Sequence, residues 1–193
     1  MKLWNKVLGL CIVLLGVIGL AAPEASAHGY IKAPAIRAYL GTAAGGNLNK
    51  NVGRAQWEPQ SIEAPKNTFI DGKIASAGVL GFSQLDEQTS DRWHKNIITN
   101  GSLNINWFLT ARHSTSTWDY YITKEGWNPN KPLTLNDFEI ITQFDDHSKI
   151  PQTLVTHNIE IPNSHKGYHA ILSVWNIADT VNAFYQIVDV EIK

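Results

Sequence analysis

Leu103-Asn104-Ile105-Asn106-Trp107-Phe108-Leu109-Thr110 sets Leu103, Ile105, Trp107 and Leu109 against Asn104, Asn106, Phe108 and Thr110. That period of two is the pattern of a strand with one face on a core. The same pattern recurs on both sides. Trp118, Tyr120 and Ile122 alternate with Asp119, Tyr121 and Thr123. Phe138 to Phe144 and Thr153 to Ile161 are shorter candidates, and Tyr168 to Asn176 and Phe184 to Ile192 close the chain. In the last run Val188, Val190 and Ile192 oppose Asp189, Glu191 and Lys193. Strands at this spacing, with turn signals between them, predict a mostly β chain folded as a sandwich.

Upstream of Leu103 the pattern is different. His28 to Arg37 reads as a first strand interrupted by Pro34, and Tyr39 to Ser102 is long, irregular and rich in glycine and proline. A stretch of that length inside one domain is usually functional. Asp86, Glu87, Asp91 and Arg92 favour a short surface helix between Gln84 and Lys95.

The first 27 residues read as an address. Lys2 and Lys6 precede an apolar run from Val7 to Ala22, and Ala25-Ser26-Ala27 offers small residues for a signal peptidase. Cleavage after Ala27 would leave one domain, residues 28–193, secreted and beginning with histidine. A retained membrane anchor is the rival reading, but the run is short for a span. The remaining 166 residues suit a single domain with a sizeable core. They carry 14 basic and 16 acidic side chains, a net charge of −2, so no basic excess argues for nucleic acid or an anionic membrane. The single cysteine, Cys11, lies in the leader, so the exported domain would hold no disulfide. Seven Trp, six Tyr and six Phe supply a core with aromatics to spare for a binding face.

An N-terminal histidine offers two nitrogens on one residue, the α-amine and the ring. The other histidines are His94, His113, His147, His157, His165 and His169. His113 follows the clearest strand. Taken alone it reads as a surface or hydrogen-bonded residue; paired with His28 it completes three nitrogen donors. Such a set suits Cu(II) better than zinc, which prefers four tetrahedral ligands. The other five histidines have no comparable partner pattern and read as structural or surface groups.

Several motifs occur in a fixed order: His28-Gly-Tyr, Trp57-Glu58-Pro59-Gln60-Ser61-Ile62-Glu63, Thr110-Ala111-Arg112-His113-Ser114-Thr115, Val174 to Thr180, and Asn182-Ala183-Phe184-Tyr185-Gln186. Together they resemble the bacterial lytic polysaccharide monooxygenases of the chitin-binding-protein type, auxiliary activity family ten. The resemblance runs from His28 to the C-terminus. It implies an immunoglobulin- or fibronectin-III-like sandwich with a long, partly helical loop region between the first strands. It also implies one copper ion held by the His28 amine and ring and the His113 ring. Phe184 would lie on the axial side, Ala111 near the other axial position, and Glu63 close by as a carboxylate that steers oxygen species or protons. Trp57, Glu58, Gln60, Ser61, Thr110, Asp179 and Asn182 would form a flat face for substrate, with Trp175 buried beneath the metal.

The implied activity is oxidative cleavage of β-1,4 bonds at C1 in crystalline chitin, with cellulose or other N-acetylglucosamine-containing glycans as alternatives. It would be driven by an external electron donor with oxygen or hydrogen peroxide, on a monomer. Two rivals stay open: a non-catalytic chitin-binding or adhesion protein using the same face, and a copper carrier, which needs no such face. The chain departs from the family pattern twice. Many members carry disulfides, which bears on the loop at Gly41 to Asn51. Trp57 stands where tyrosine is common in chitin-active relatives, which keeps a stacking ring but loses a phenol.

Overall fold

The computed structural model describes residues 28–193; the signal peptide expected over residues 1–27 lies outside the described residues. Nine strands form two sheets. The smaller sheet has the order β1 (His28–Ala33), β4 (Gly101–Ala111), β7 (Leu154–Ile161). The larger has the order β2 (Glu63–Pro65), β9 (Asn182–Ile192), β8 (Gly167–Ile177), β5 (Thr115–Thr123), β6 (Phe138–Lys149). A short β3 (Asn96–Ile98) pairs parallel with the C-terminal end of β9, while β2 pairs antiparallel with its N-terminal end. The sandwich predicted from strand spacing is what the chain adopts.

The alternation in β4 is obeyed. Ile105, Trp107 and Leu109 are buried, while Ser102, Asn104 and Thr110 face solvent. Between the sheets sit three fully buried indoles. Trp118 and Trp175 stack at 5.1 Å, nearly parallel, and Trp107 crosses from the smaller sheet to Trp118 at 5.1 Å. The Trp107 Nε1–H donates to Tyr120 Oη at 2.9 Å, so the one polar atom of that ring is satisfied inside the core.

The alternation in β9 is misleading. Asp189 occupies the polar phase, yet it is only 1 % exposed. The region from Pro34 to Lys95 covers the outer face of β8 and β9, so both faces of these strands are buried. Arg37 from that region meets Asp189 with Nε at 3.0 Å and Nη2 at 2.6 Å, and its Nη1 donates to the Leu85 carbonyl at 2.7 Å. Fixed bidentate geometry and full hydrogen bonding are what make a buried pair tolerable.

Helical content between β1 and β4 consists of three 3-10 turns, Tyr39–Gly41, Gly53–Gln56 and Ser83–Asp86. The helix expected between Gln84 and Lys95 is therefore reduced to Ser83–Asp86. Its acids and bases have other partners. Asp86 accepts from the Ser76 N–H and hydroxyl, and Arg92 binds Glu87 and the Lys50 carbonyl. Short isolated helices are marginal without a packed apolar face, and here side chains favour the loop. β1 ends at Ala33, immediately before Pro34, rather than continuing to Arg37.

No cysteine lies in the described residues, so hydrogen bonds hold the loop from Gly41 to Asn51. Asn49 donates to the Arg37 carbonyl at 2.9 Å and accepts from the His94 N–H at 2.8 Å. The Thr42 hydroxyl donates to the Tyr39 carbonyl at 2.8 Å and accepts from the Gly45 N–H at 3.0 Å.

Candidate metal centre and adjoining face

One end of the sandwich collects the predicted site residues. β1 begins there, and His28 registers against Ala111 at the end of β4, with an irregularity in the ladder between His28 and Gly29. Such bulges re-aim a side chain at a strand end. Gly29 is required for the approach. A Cβ there would stand 2.5 Å from Leu109 Cδ2 and 3.2 Å from the Trp175 ring. Thr110 donates from Oγ1 to the His28 carbonyl at 3.3 Å. The His28 ring lies 6.1 Å from Phe184, which lies 5.1 Å from Trp175. The N-terminal strand is thus seated on the aromatic core, with Trp175 buried beneath as expected.

His113 belongs to the three-residue connection between β4 and β5. Its Nδ1 meets Asp179 Oδ1 at 3.1 Å. The His113 backbone carbonyl accepts from Thr115 Oγ1 at 3.0 Å, and Thr115 in turn accepts from Trp175 Nε1 at 2.8 Å. The Ala178 N–H donates to the Ser114 carbonyl at 2.7 Å, which ties the β8–β9 turn to this connection. A histidine whose Nδ1–H is given to a carboxylate presents Nε2 as its acceptor nitrogen, the arrangement that orients ligating imidazoles.

Glu63 opens β2 and registers with Phe184 on β9. Asn182 Nδ2 donates to Glu63 Oε1 at 2.8 Å, which fixes the carboxylate beside the aromatic seat. Phe184 is fully buried, so it touches the site from below and cannot meet a polymer.

Trp57 is 80 % exposed and, with Gln60 and Thr110, lines one open groove. Glu58, expected on the substrate face, is also half of an ion pair. Its Oε1 accepts from Arg54 Nε at 2.7 Å, in an i,i+4 ion pair. Ser61 is half-buried in the turn that leads into β2, where its carbonyl accepts from the Glu63 N–H at 3.0 Å. Asp179 is exposed, but its carboxylate is engaged by His113.

Sequence reasoning missed Val181, which is 76 % exposed beside Asn182. Lys66 holds that turn, with its Nζ donating to the Thr180 carbonyl at 2.8 Å and its N–H to the Val181 carbonyl at 2.8 Å. A lone valine in a turn has no periodicity to expose it. The groove wall from Tyr39 to Asn47 was also missed, because its residue types read only as loop.

The donor set fits copper by its chemistry. Among the described residues no group of three or more His, Cys, Asp or Glu side chains is placed to hold a metal ion. That rules against an all-side-chain tetrahedral cage there. Two imidazoles, with the main-chain amine that cleavage before His28 would free, would make an all-nitrogen set of the kind Cu(II) prefers.

Comparisons with known proteins identify the family. The family model described as "lytic polysaccharide mono-oxygenase, cellulose-degrading" matches residues 28–190. A protein of Enterococcus faecalis named lytic chitin monooxygenase is 60 % identical over 180 residues, 93 % of each chain. A GlcNAc-binding protein A of Shewanella oneidensis is 43 % identical over 89 % of this chain, which spans 37 % of that longer protein. A Bacillus amyloliquefaciens protein solved in complex with Cu(I) superposes with a TM-score of 0.77 at 43 % identity, covering 86 % of this chain and all of that one. The chain belongs to the lytic polysaccharide monooxygenases of auxiliary activity family ten and is a polysaccharide monooxygenase.

Proposed function

We propose that this chain is a secreted, copper-dependent monooxygenase that cleaves β-1,4 bonds of crystalline chitin oxidatively at C1. What supports the reading is the register of His28 against Ala111, two residues before His113, at one sandwich end. His28 is registered on Ala111 and seated on Phe184, and His113 is oriented by Asp179. Removal of residues 1–27 would free the His28 amine as the third nitrogen. Held by His28 and His113, a copper ion would supply redox chemistry toward oxygen or hydrogen peroxide, with an external electron donor as co-reactant.

The chain's own residues do the rest. Phe184 offers no ligand atom and keeps one side of the site apolar. Ala111, with only a methyl group, keeps the other side open to a small cosubstrate. Glu63, held by Asn182, is placed to carry a proton to or from that cosubstrate. Asp179 fixes the His113 ring. Trp57 lies flat on a sugar, and Gln60, Ser61, Thr110 and Asn182 offer hydroxyl and amide groups to the polymer. Glu58 contributes through its ion pair with Arg54, which braces the Trp57 turn.

A flat face suits a crystal, from which no chain end need be threaded. The Enterococcus relative's name supports chitin, while the family description makes cellulose the comparison to run. The domain works as a monomer with a small net negative charge, with no nucleic acid and no membrane partner. The second reading is a non-catalytic chitin-binding or adhesion protein, which the name of the Shewanella relative favours. A copper carrier would not need the exposed Trp57. Mass spectrometry of products from α-chitin, β-chitin and cellulose, with copper and ascorbate, separates these readings. Oxidised oligosaccharides from chitin that require both additions support the monooxygenase. Binding to chitin with no oxidised product at any condition supports the adhesion protein.

A further inference from the structure

Beside the proposed substrate face lies an open groove of about 550 Å³. Trp57, Gln60 and Thr110 belong to both, so the groove is continuous with the proposed substrate surface. Its far wall is the loop after the first 3-10 turn, contributing Thr42, Ala43, Ala44 and Asn47. Its aromatic side is a pair of stacked rings, Tyr30 and Tyr39, with centroids 5.0 Å apart and an interplanar angle of 22°. Gln56 completes the polar rim.

The wall is built rather than loose. Asn47, at φ +52°, donates its N–H to the Thr42 carbonyl at 2.9 Å, and the Tyr39 hydroxyl donates to the Ala44 carbonyl at 3.3 Å. A Cβ at Gly45 would stand 2.0 Å from the Tyr39 carbonyl oxygen, so only glycine lets the loop close on the Tyr39–Leu40 backbone. No charged side chain lines the groove. Its lining is aromatic and methyl surface with hydroxyls and carboxamides. That is the chemistry for a neutral pyranose ring bearing hydroxyl and amide groups, and it disfavours phosphate, uronate or peptide termini. Its size falls within the ordinary range for small-molecule sites, about 300–1,000 Å³.

We propose that this groove is a carbohydrate subsite that holds one N-acetylglucosamine unit of the same chitin chain or of a soluble chito-oligosaccharide. The inference rests on the substrate class proposed above. The ring of the sugar lies against the Tyr39 and Trp57 side, and its acetamido group meets the amides of Asn47 and Gln56. A flat face alone grips only chains fixed in a crystal. The groove lets the domain also hold a single chain at one off-plane unit.

The test is NMR titration with chitohexaose and with cellohexaose, alongside pull-down on β-chitin. The variants are Ala43→Glu and Ala43→Lys, which fill the groove with opposite charges at an exposed position. Trp57→Ala and the unchanged chain are run beside them. The expected result is that both Ala43 variants keep Cu(II) affinity and Tm but bind chitohexaose at least about fivefold more weakly, the scale of one lost sugar contact. Shift perturbations should appear at the amides of residues 42–47. Chitohexaose affinity unchanged in both variants, while Trp57→Ala still loses chitin, would overturn the groove and leave the face intact. Equal weakening toward cellohexaose would refute the assignment to an N-acetylated chain. No chitin binding by the unchanged chain would remove the substrate reading itself, and the groove assignment with it.

Discussion

Gly29→Ala tests how closely the N-terminal strand is seated on the core. The added methyl would lie 2.5 Å from Leu109 Cδ2, 3.2 Å from the Trp175 ring and 3.3 Å from the Phe108 carbonyl oxygen. The nearest atom ends a side chain that elsewhere might swing away. Here Leu109 is 2 % exposed and Trp175 fully buried, so neither has room. Overpacking of this kind costs about 1–3 kcal/mol. In a domain of this size each kcal/mol lowers Tm by about 2–4 °C, so a fall of about 2–12 °C is expected. The strand should also lift, moving His28 away from Phe184 and weakening Cu(II) binding. Calorimetric melting measures the first effect and titration the second. Pairing the change with Leu109→Ala supplies the control, because the cavity accepts the methyl and the two costs should fall short of additivity. A Tm within about 1 °C of the unchanged chain, or strictly additive costs by the same cycle logic, would refute the close seating.

Other consequences can be measured on the same material. Asp179→Ala removes the carboxylate at 3.1 Å from His113 Nδ1 and should weaken Cu(II) affinity about tenfold, the low end for such partners because Asp179 is half exposed; unchanged affinity by calorimetry would deny it an orienting role. Arg37→Met strands the buried Asp189 carboxylate and should cost about 3–5 kcal/mol in urea unfolding; a loss below about 1 kcal/mol would mean the pair is not what pins the loop region to β9. Burial pushes the His157 imidazole down to about 4, and the neutral ring accepts from the Tyr120 hydroxyl at 2.7 Å. Its folded pKa lies below the ordinary 6.5, so the unfolded chain takes a proton first. Stability from this group is full above about pH 6.5 and is lost as pH falls toward about 4, by at most ~1.4 kcal/mol per pH unit. His157→Gln should flatten Tm against pH in that window, and parallel curves for the two proteins would show that His157 does not carry the dependence.

Much of the fold was legible because period-two patterning records which face is wet. β4 shows this plainly, with Ile105, Trp107 and Leu109 inward. β9 shows where the rule stops. Asp189 reads as a solvent residue, and partners outside its own strand, Arg37 152 positions away and the Tyr168 hydroxyl, make its burial possible. The loop region hid its structure for the same reason. Asp86, Glu87 and Arg92 look like helix-surface charges, but each is committed to a backbone or side-chain partner that local sequence does not reveal. At the proposed site, the ordered motifs singled out His28, Ala111, His113, Glu63 and Phe184; the fold registers His28 with Ala111 and Glu63 with Phe184, and sets the His28 ring 6.1 Å from Phe184. The motifs did not distinguish a face residue from a brace. Glu58 and Asp179 were both assigned to the polymer surface, yet one is held by Arg54 and the other holds His113. Val181 and the Tyr39–Asn47 wall carry no pattern at all, because exposure of a turn is decided by what packs beneath it.

The proposed metal site exists only when His28 is the first residue. An α-amine has a pKa near 7.7–8.0, and copper can displace its proton near neutral pH. If any residue precedes His28, that nitrogen becomes an amide with no available lone pair. Isothermal titration with Cu(II) should compare the chain beginning at His28, the same chain with a methionine kept before it, and His113→Ala. Tight one-to-one binding is expected for the first alone, with affinity falling as pH drops and the nitrogens protonate. Equal affinity in the methionine-extended chain would contradict it, because the N-terminus would then not be a ligand.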